Sequence, residues 1–132
     1  MTPETTKDLL FDSTGLDTNS TYRGKFVFKL ALSPRDLLLA DQIERDNLGG
    51  VSWAEAGTYA KYVAHMISQL AVRIKEGPTW WKESNNGKDL QDFNILEEIF
   101  TAIAKEVNSY TEQRSARAEK LKKPIEEAIK AG

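Results

Sequence analysis

Residues 22–32 read YRGKFVFKLAL, and the way this stretch finds its hydrogen-bond partners decides the fold. Phe26, Phe28, Leu30 and Leu32 fall on one side of an extended chain, with Lys25, Val27, Lys29 and Ala31 on the other. That period of two marks a half-buried β-strand. A strand carries donors and acceptors along both edges, so the rest of the chain has to supply partners. Upstream, residues 1–21 are rich in Thr, Ser, Asp and Asn, with Leu9, Leu10 and Phe11 as their apolar cluster and Leu16 standing apart. Such a segment buries too little to offset its ordering entropy and reads as flexible, unless residues 9–11 return as a short hairpin arm. The strand is therefore expected to keep an open edge for a second chain, with Phe26 and Phe28 as candidate protein-binding residues.

Downstream the period becomes helical. Ser33, Pro34 and Asp36 supply a capping hydroxyl, a proline at the first helical position and an acid at the positive helix end, while Gly49 and Gly50 stop the helix. Ser52 and Glu55 are spaced as a capping box, and Gly77 and Pro78 end the helix they open. Within it Trp53, Ala56, Ala60, Val63, Ile67, Leu70 and Ile74 form one stripe, with the small Gly57, Ala64 and Ala71 beside it to admit a neighbouring helix. Asp92 or Asn94 caps a third helix, whose stripe of Leu96, Ile99, Phe100, Ile103, Val107 and Tyr110 gives way to Arg114 and Arg117.

These signals predict helices at 34–48, 52–76 and 93–120. Phe28, Leu30, Ile43, Trp53, Ala60, Val63, Ile67, Leu70, Ile74, Leu96, Phe100, Ile103 and Val107 are expected to be buried. The expected fold class is mainly α: a three-helix domain preceded by a single N-terminal β-strand or short hairpin. Its parts are a flexible N-terminal segment at 1–21, a helical core domain at 22–110 and a charged helical tail at 111–132, interrupted by Pro124.

Composition narrows the function classes. A net charge of −2 gives no electrostatic footprint for nucleic acid, and the absence of cysteine excludes thiolate catalysis and cysteine zinc sites. No apolar run approaches the roughly 18 residues that span a bilayer, so neither a membrane nor a nucleic-acid partner is expected and the expected compartment is cytoplasmic. His65, the one histidine, falls opposite the apolar stripe. A metal or general-base role needs converging partners that the sequence does not show. Asp36, Asp41, Glu44 and Asp46 are spread around a helix among Arg35 and Arg45, as on an ion-paired, solvated face. Glu97 and Glu98 are adjacent on a helix and diverge by about 100°, which does not make a glycosidase pair. Gly49 and Gly50 lack the spacing and lysine of a phosphate loop. No catalytic residue, metal ligand or cofactor is expected, and the chain reads as a non-enzymatic binder of proteins.

Trp80 and Trp81 follow Pro78 in a stretch with the turn-forming Asn85, Asn86 and Gly87. One reading makes the pair a plug over the helical layer; the other makes one indole a contact for a partner, since adjacent loop residues do not readily both enter one small core. Both are candidate protein-binding residues. The charged tail is either a frayed helix or an arm that orders on a partner.

Phe28, Leu30, Leu32, Ser33, Pro34, Arg35, Asp36, Ala40, Asp41, Arg45, Leu48 and Gly49 resemble a strand, Ser-Pro-Arg-Asp turn and helix found in small proteins encoded near the tail genes of long-tailed bacteriophages. Gly77, Pro78, Trp80, Trp81, Asn86, Gly87, Leu90, Asp92 and Asn94 resemble the segment that follows in the same group, and together the two cover roughly residues 25–110. The resemblance implies a tail assembly chaperone, which binds the tape-measure protein and helps recruit tail tube subunits in the host cytoplasm. An alternative is a structural virion component, such as a head-tail connector, tail completion or decoration protein. Homo-oligomerisation through the N-terminal strand is a further expectation.

Overall fold

A computed structural model describes residues 5–131. The elements run β1 (Thr6–Thr14), β2 (Thr21–Lys29), α1 (Pro34–Asn47), α2 (Thr58–Arg73), β3 (Ile74–Glu76), α3 (Thr79–Glu83) and α4 (Phe93–Ala131). The three strands form one antiparallel sheet in the order β1-β2-β3. The fold is thus α+β, which corrects the expected mainly α domain with a single strand.

The segment expected to be flexible is a strand for most of its length. β1 pairs with β2 over nine positions, from Thr6 opposite Lys29 to Thr14 opposite Thr21. Its polar composition is no obstacle, because alternation needs an apolar residue only at every second place. Leu9 packs on the core and Phe11 lies within it, while Asp8, Leu10 and Asp12 are exposed.

β2 is the central strand, so its predicted open edge is corrected as well. On its second side Val27 faces Glu76 and Phe28 faces Ile74, with a register irregularity between them. Residues 74–76 were expected to finish a helix; instead the chain turns extended at Ile74 and joins the sheet. Side chains extend this cover: the Arg73 guanidinium donates to the carbonyls of Lys29 (3.0 Å) and Leu30 (3.2 Å), and Trp80 Nε1 donates to the carbonyl of Arg23 (3.0 Å). β1 and β3 are the two edge strands, and β1 is the longer. Bonds from Leu30 N to Thr5 O and from Gly15 N to Ser20 O, both 2.8 Å, fix the phase. In an antiparallel ladder that phase turns the odd-numbered amides of β1 toward β2 and those of Thr6, Asp8, Leu10 and Asp12 outward.

α1 starts as its sequence predicts. Ser33 Oγ accepts from Asp36 N (3.1 Å) and the Asp36 carboxylate accepts from Ser33 N (3.0 Å). That second bond comes first among the causes that hold the Asp36 carboxyl below its ordinary range, against burial and with help from Lys29. α2 starts at Thr58 rather than near Ser52. The Ser52 carbonyl instead accepts from the amides of Glu55 and Ala56 in a separate turn. Trp53 therefore lies exposed, 5.2 Å from Lys61 Nζ, and Ala60 is exposed too; both were expected inside. The inward face of α2 is carried by Met66, Ile67 and Leu70, which join Phe26, Phe28, Ile95 and Ile99 in the core. α1 packs on α2, where the small Ala40, Ala64 and Ser68 are buried.

Candidate protein-binding surfaces

The four candidate contact residues are largely consumed within the chain. Phe26 and Phe28 are fully buried and Trp81 is 2% exposed. The short helix α3 makes this possible for both indoles, since adjacent helical residues diverge by about 100° and can straddle one partner. The Phe26 ring centre lies 5.5 Å from that of Trp81 and 5.7 Å from that of Trp80, each edge to face. Trp80 also meets Tyr22 at 5.0 Å. Such pairs contribute beyond the area they bury. Asn85, Asn86 and Gly87 follow with φ of 57°, 56° and 90°. At Gly87 this left-handed turn passes so near Trp81 that a Cβ would lie 2.6 Å from Cη2, so the position has room only for hydrogen. Trp81 is a buried plug with Trp80 on its flank, and of the four only Trp80 keeps partial access to solvent.

Asp92, expected as a helix cap, has a different task. Its carboxylate accepts four hydrogen bonds, three from the β1–β2 turn through Asp17 N (2.8 Å), Thr18 N (2.9 Å) and the Thr18 hydroxyl, and one from the Tyr22 hydroxyl at the start of β2. Burial pushes this carboxyl upward; the bonds from Thr18, Tyr22 and the two amides outweigh it and bring it down to about 2. Asn94 joins the clasp, accepting from Leu16 N and donating to Thr14 O. The turn of a hairpin is thus fixed to the start of α4 by residues far away in sequence.

On the body of the domain, apolar surface stays open at two places. On α1, Leu37, Leu38 and Leu39 are 56%, 74% and 49% exposed. Nearby, Leu48, Val51 and Trp53 line a concavity of about 400 Å³ rimmed by Asp41, Glu44 and Arg45. The second place is a shallow groove of about 590 Å³ between the free edge of β1 and the outer side of α4, lined by Leu9, Leu10, Ala102, Asp12, Glu97 and Glu98 among others. Neither place was legible as such, because α1 offers three leucines in a row, which no simple amphipathic pattern assigns to one face.

His65 is exposed as expected, with its Nδ1 3.4 Å from Glu44 Oε1, an ion pair only when the imidazole is protonated, and its ring against Phe100. Arg45 pairs with Asp41 at 3.1 Å. Glu97 accepts from the Tyr62 hydroxyl at 3.0 Å, whereas Glu98 accepts from Ser13 and Asn94. Among the described residues no group of three His, Cys, Asp or Glu is placed to hold a metal ion, and no helix is long and apolar enough to cross a membrane. No protein-family model, curated protein or solved structure matches this chain.

Proposed function

We propose that this protein is a non-enzymatic tail assembly chaperone of a long-tailed bacteriophage, which binds the tape-measure protein in the host cytoplasm and helps recruit tail tube subunits. The family comes from the resemblance of the Ser33–Pro34–Arg35–Asp36 and Trp80–Trp81 regions. The observation that carries a binding role is the leucine triplet at 37–39. Leu38 at 74% exposure stands out on the side of α1 turned away from α2, where a folded domain gains nothing from an apolar side chain. A client made of long apolar helices supplies what such a surface lacks, since a helix laid on α1 buries the leucines together with its own stripe. The leucines, rather than Phe26, Phe28 or Trp81, are then the contact residues.

The test is co-expression of the chain with a tape-measure protein of a long-tailed bacteriophage. The chaperone reading expects the tape-measure protein in the soluble fraction and in a complex with the wild type. Leu38→Asp should return it to the pellet while circular dichroism stays unchanged. Stoichiometric presence in purified particles would instead mark a structural virion component.

A further inference from the structure

Beyond Tyr110, α4 leaves the domain, and every residue from 111 to 130 is exposed. At 1.5 Å per residue this arm reaches about 30 Å. Leu121, Ile125 and Ile129 are 69%, 60% and 73% exposed on it, so an apolar stripe stands in water without a partner in its own chain.

Taking about 100° per residue, Arg114 and Arg117 lie within about 40° of Leu121, whereas Glu112, Glu119, Glu126 and Glu127 fall roughly 120° or more away together with Lys123 and Lys130. Lys122 pairs with Glu126. Residues 111–132 hold six basic and four acidic side chains, so the arm carries +2 and the remainder of the chain −4. The arm's partner should therefore be apolar with an acidic rim. The groove beside β1 has that character: Leu9, Leu10, Phe11 and Ala102 supply its apolar lining, and Glu97 and Glu98 stand against Lys105, while Asp12 pairs with Arg23. Its length also fits, since α4 lines it from Asn94 to Lys105 and the arm's stripe runs from Ala118 to Ile129, each about 17 Å. The outward amides of Leu10 and Asp12 belong to residues that line the groove, and a covering helix is one of the ways proteins protect such an edge.

We propose that the arm of one copy seats in the β1–α4 groove of a second copy, head to tail. The two faces of α4 exclude a mutual exchange. Leu121 follows Ile103 by five full turns and shares its face, whereas Glu98, Thr101 and Lys105 lie roughly 140–160° from Ile103. One straight helix cannot meet a single partner helix with opposite faces at its two ends. Each copy instead binds one neighbour with its arm and another with its groove, a heterologous contact that yields rings or filaments. This stands apart from the α1 surface and does not depend on the chaperone reading.

The experiment is sedimentation of the full-length chain, alone and in mixtures. The wild type should exceed twice the mass of one chain, grow with concentration and shrink toward the monomer in high salt. Leu121→Asp/Ile125→Asp disables the arm and Leu10→Arg disables the groove, both at exposed positions that leave the core alone; each variant by itself should be monomeric. Mixed in equal amounts, the two should form a complex of two chains and no larger species, since one intact arm meets one intact groove. A wild type that stays monomeric at every concentration reached overturns the proposal, and so does assembly that survives either variant. A monomer that binds anionic vesicles through Leu121 and Ile125 would overturn it in favour of a membrane surface.

Discussion

Gly15 and Asp92 claim the same space: a Cβ on Gly15 would lie 2.1 Å from Cγ of Asp92. The missing side chain lets the carboxylate enter the turn and reach the donors of Asp17, Thr18 and Tyr22. Gly15→Ala should therefore cost about 1–3 kcal/mol by overpacking. Urea denaturation checks this, and the cost should largely vanish when Asp92 is also replaced by Gly.

The same carboxylate makes stability depend on pH in the acid range. Its folded pKa is lowered from 3.8 to about 2. A depressed acid stabilises fully above its unfolded value and loses that contribution as pH falls through the folded one. Wild-type stability should accordingly drop between about pH 4 and pH 2. Asp92→Asn should flatten that part of the profile, measured as melting temperature against pH.

Trp81→Ala should cost about 3–5 kcal/mol, because it empties a fully packed site beneath Gly87 and beside Phe26. Trp80→Phe keeps most of the ring contacts and removes the Nε1 bond to the Arg23 carbonyl. Its cost should be about 1 kcal/mol. Similar losses for the two variants in thermal unfolding would contradict the division between plug and flank.

Proline separates the inner from the outer amides of the sheet. Val27→Pro strikes the central strand opposite Glu76 and should disrupt folding. Leu10→Pro strikes an amide that points out of β1 and should be tolerated far better. Relative yields of folded protein and circular dichroism give the comparison. Equal damage from both would mean that β1 is not an edge strand.

Much of this arrangement is written locally and some of it is not. The strand around Phe26 and Phe28, the Ser33–Asp36 cap and the core stripe of Ile99 and Ile103 could be read from spacing alone, because period and capping act within a few residues. β1 could not be read this way: its inward apolar positions are only Leu9 and Phe11, Leu10 between them breaks the alternation, and its order comes from nine pairings with β2 that no local pattern shows. Ser52 and Glu55 formed a convincing capping box, yet they make an isolated turn and the helix waits for Thr58. The Asp92 clasp has no local signal at all, since its donors lie at the other end of the chain. Among candidate contacts, aromatic size pointed to Phe26, Phe28, Trp80 and Trp81, but large aromatics bury themselves first, whereas Leu37, Leu38 and Leu39 stay exposed.

The most direct test of the binding role is the soluble fraction of co-expressed tape-measure protein, measured with wild type and with Leu38→Asp. A soluble complex with the wild type that is lost in the variant, with helical content unchanged in both, is the predicted result. Tape-measure protein that pellets equally with both, or stays soluble with both, would contradict the assignment of this surface.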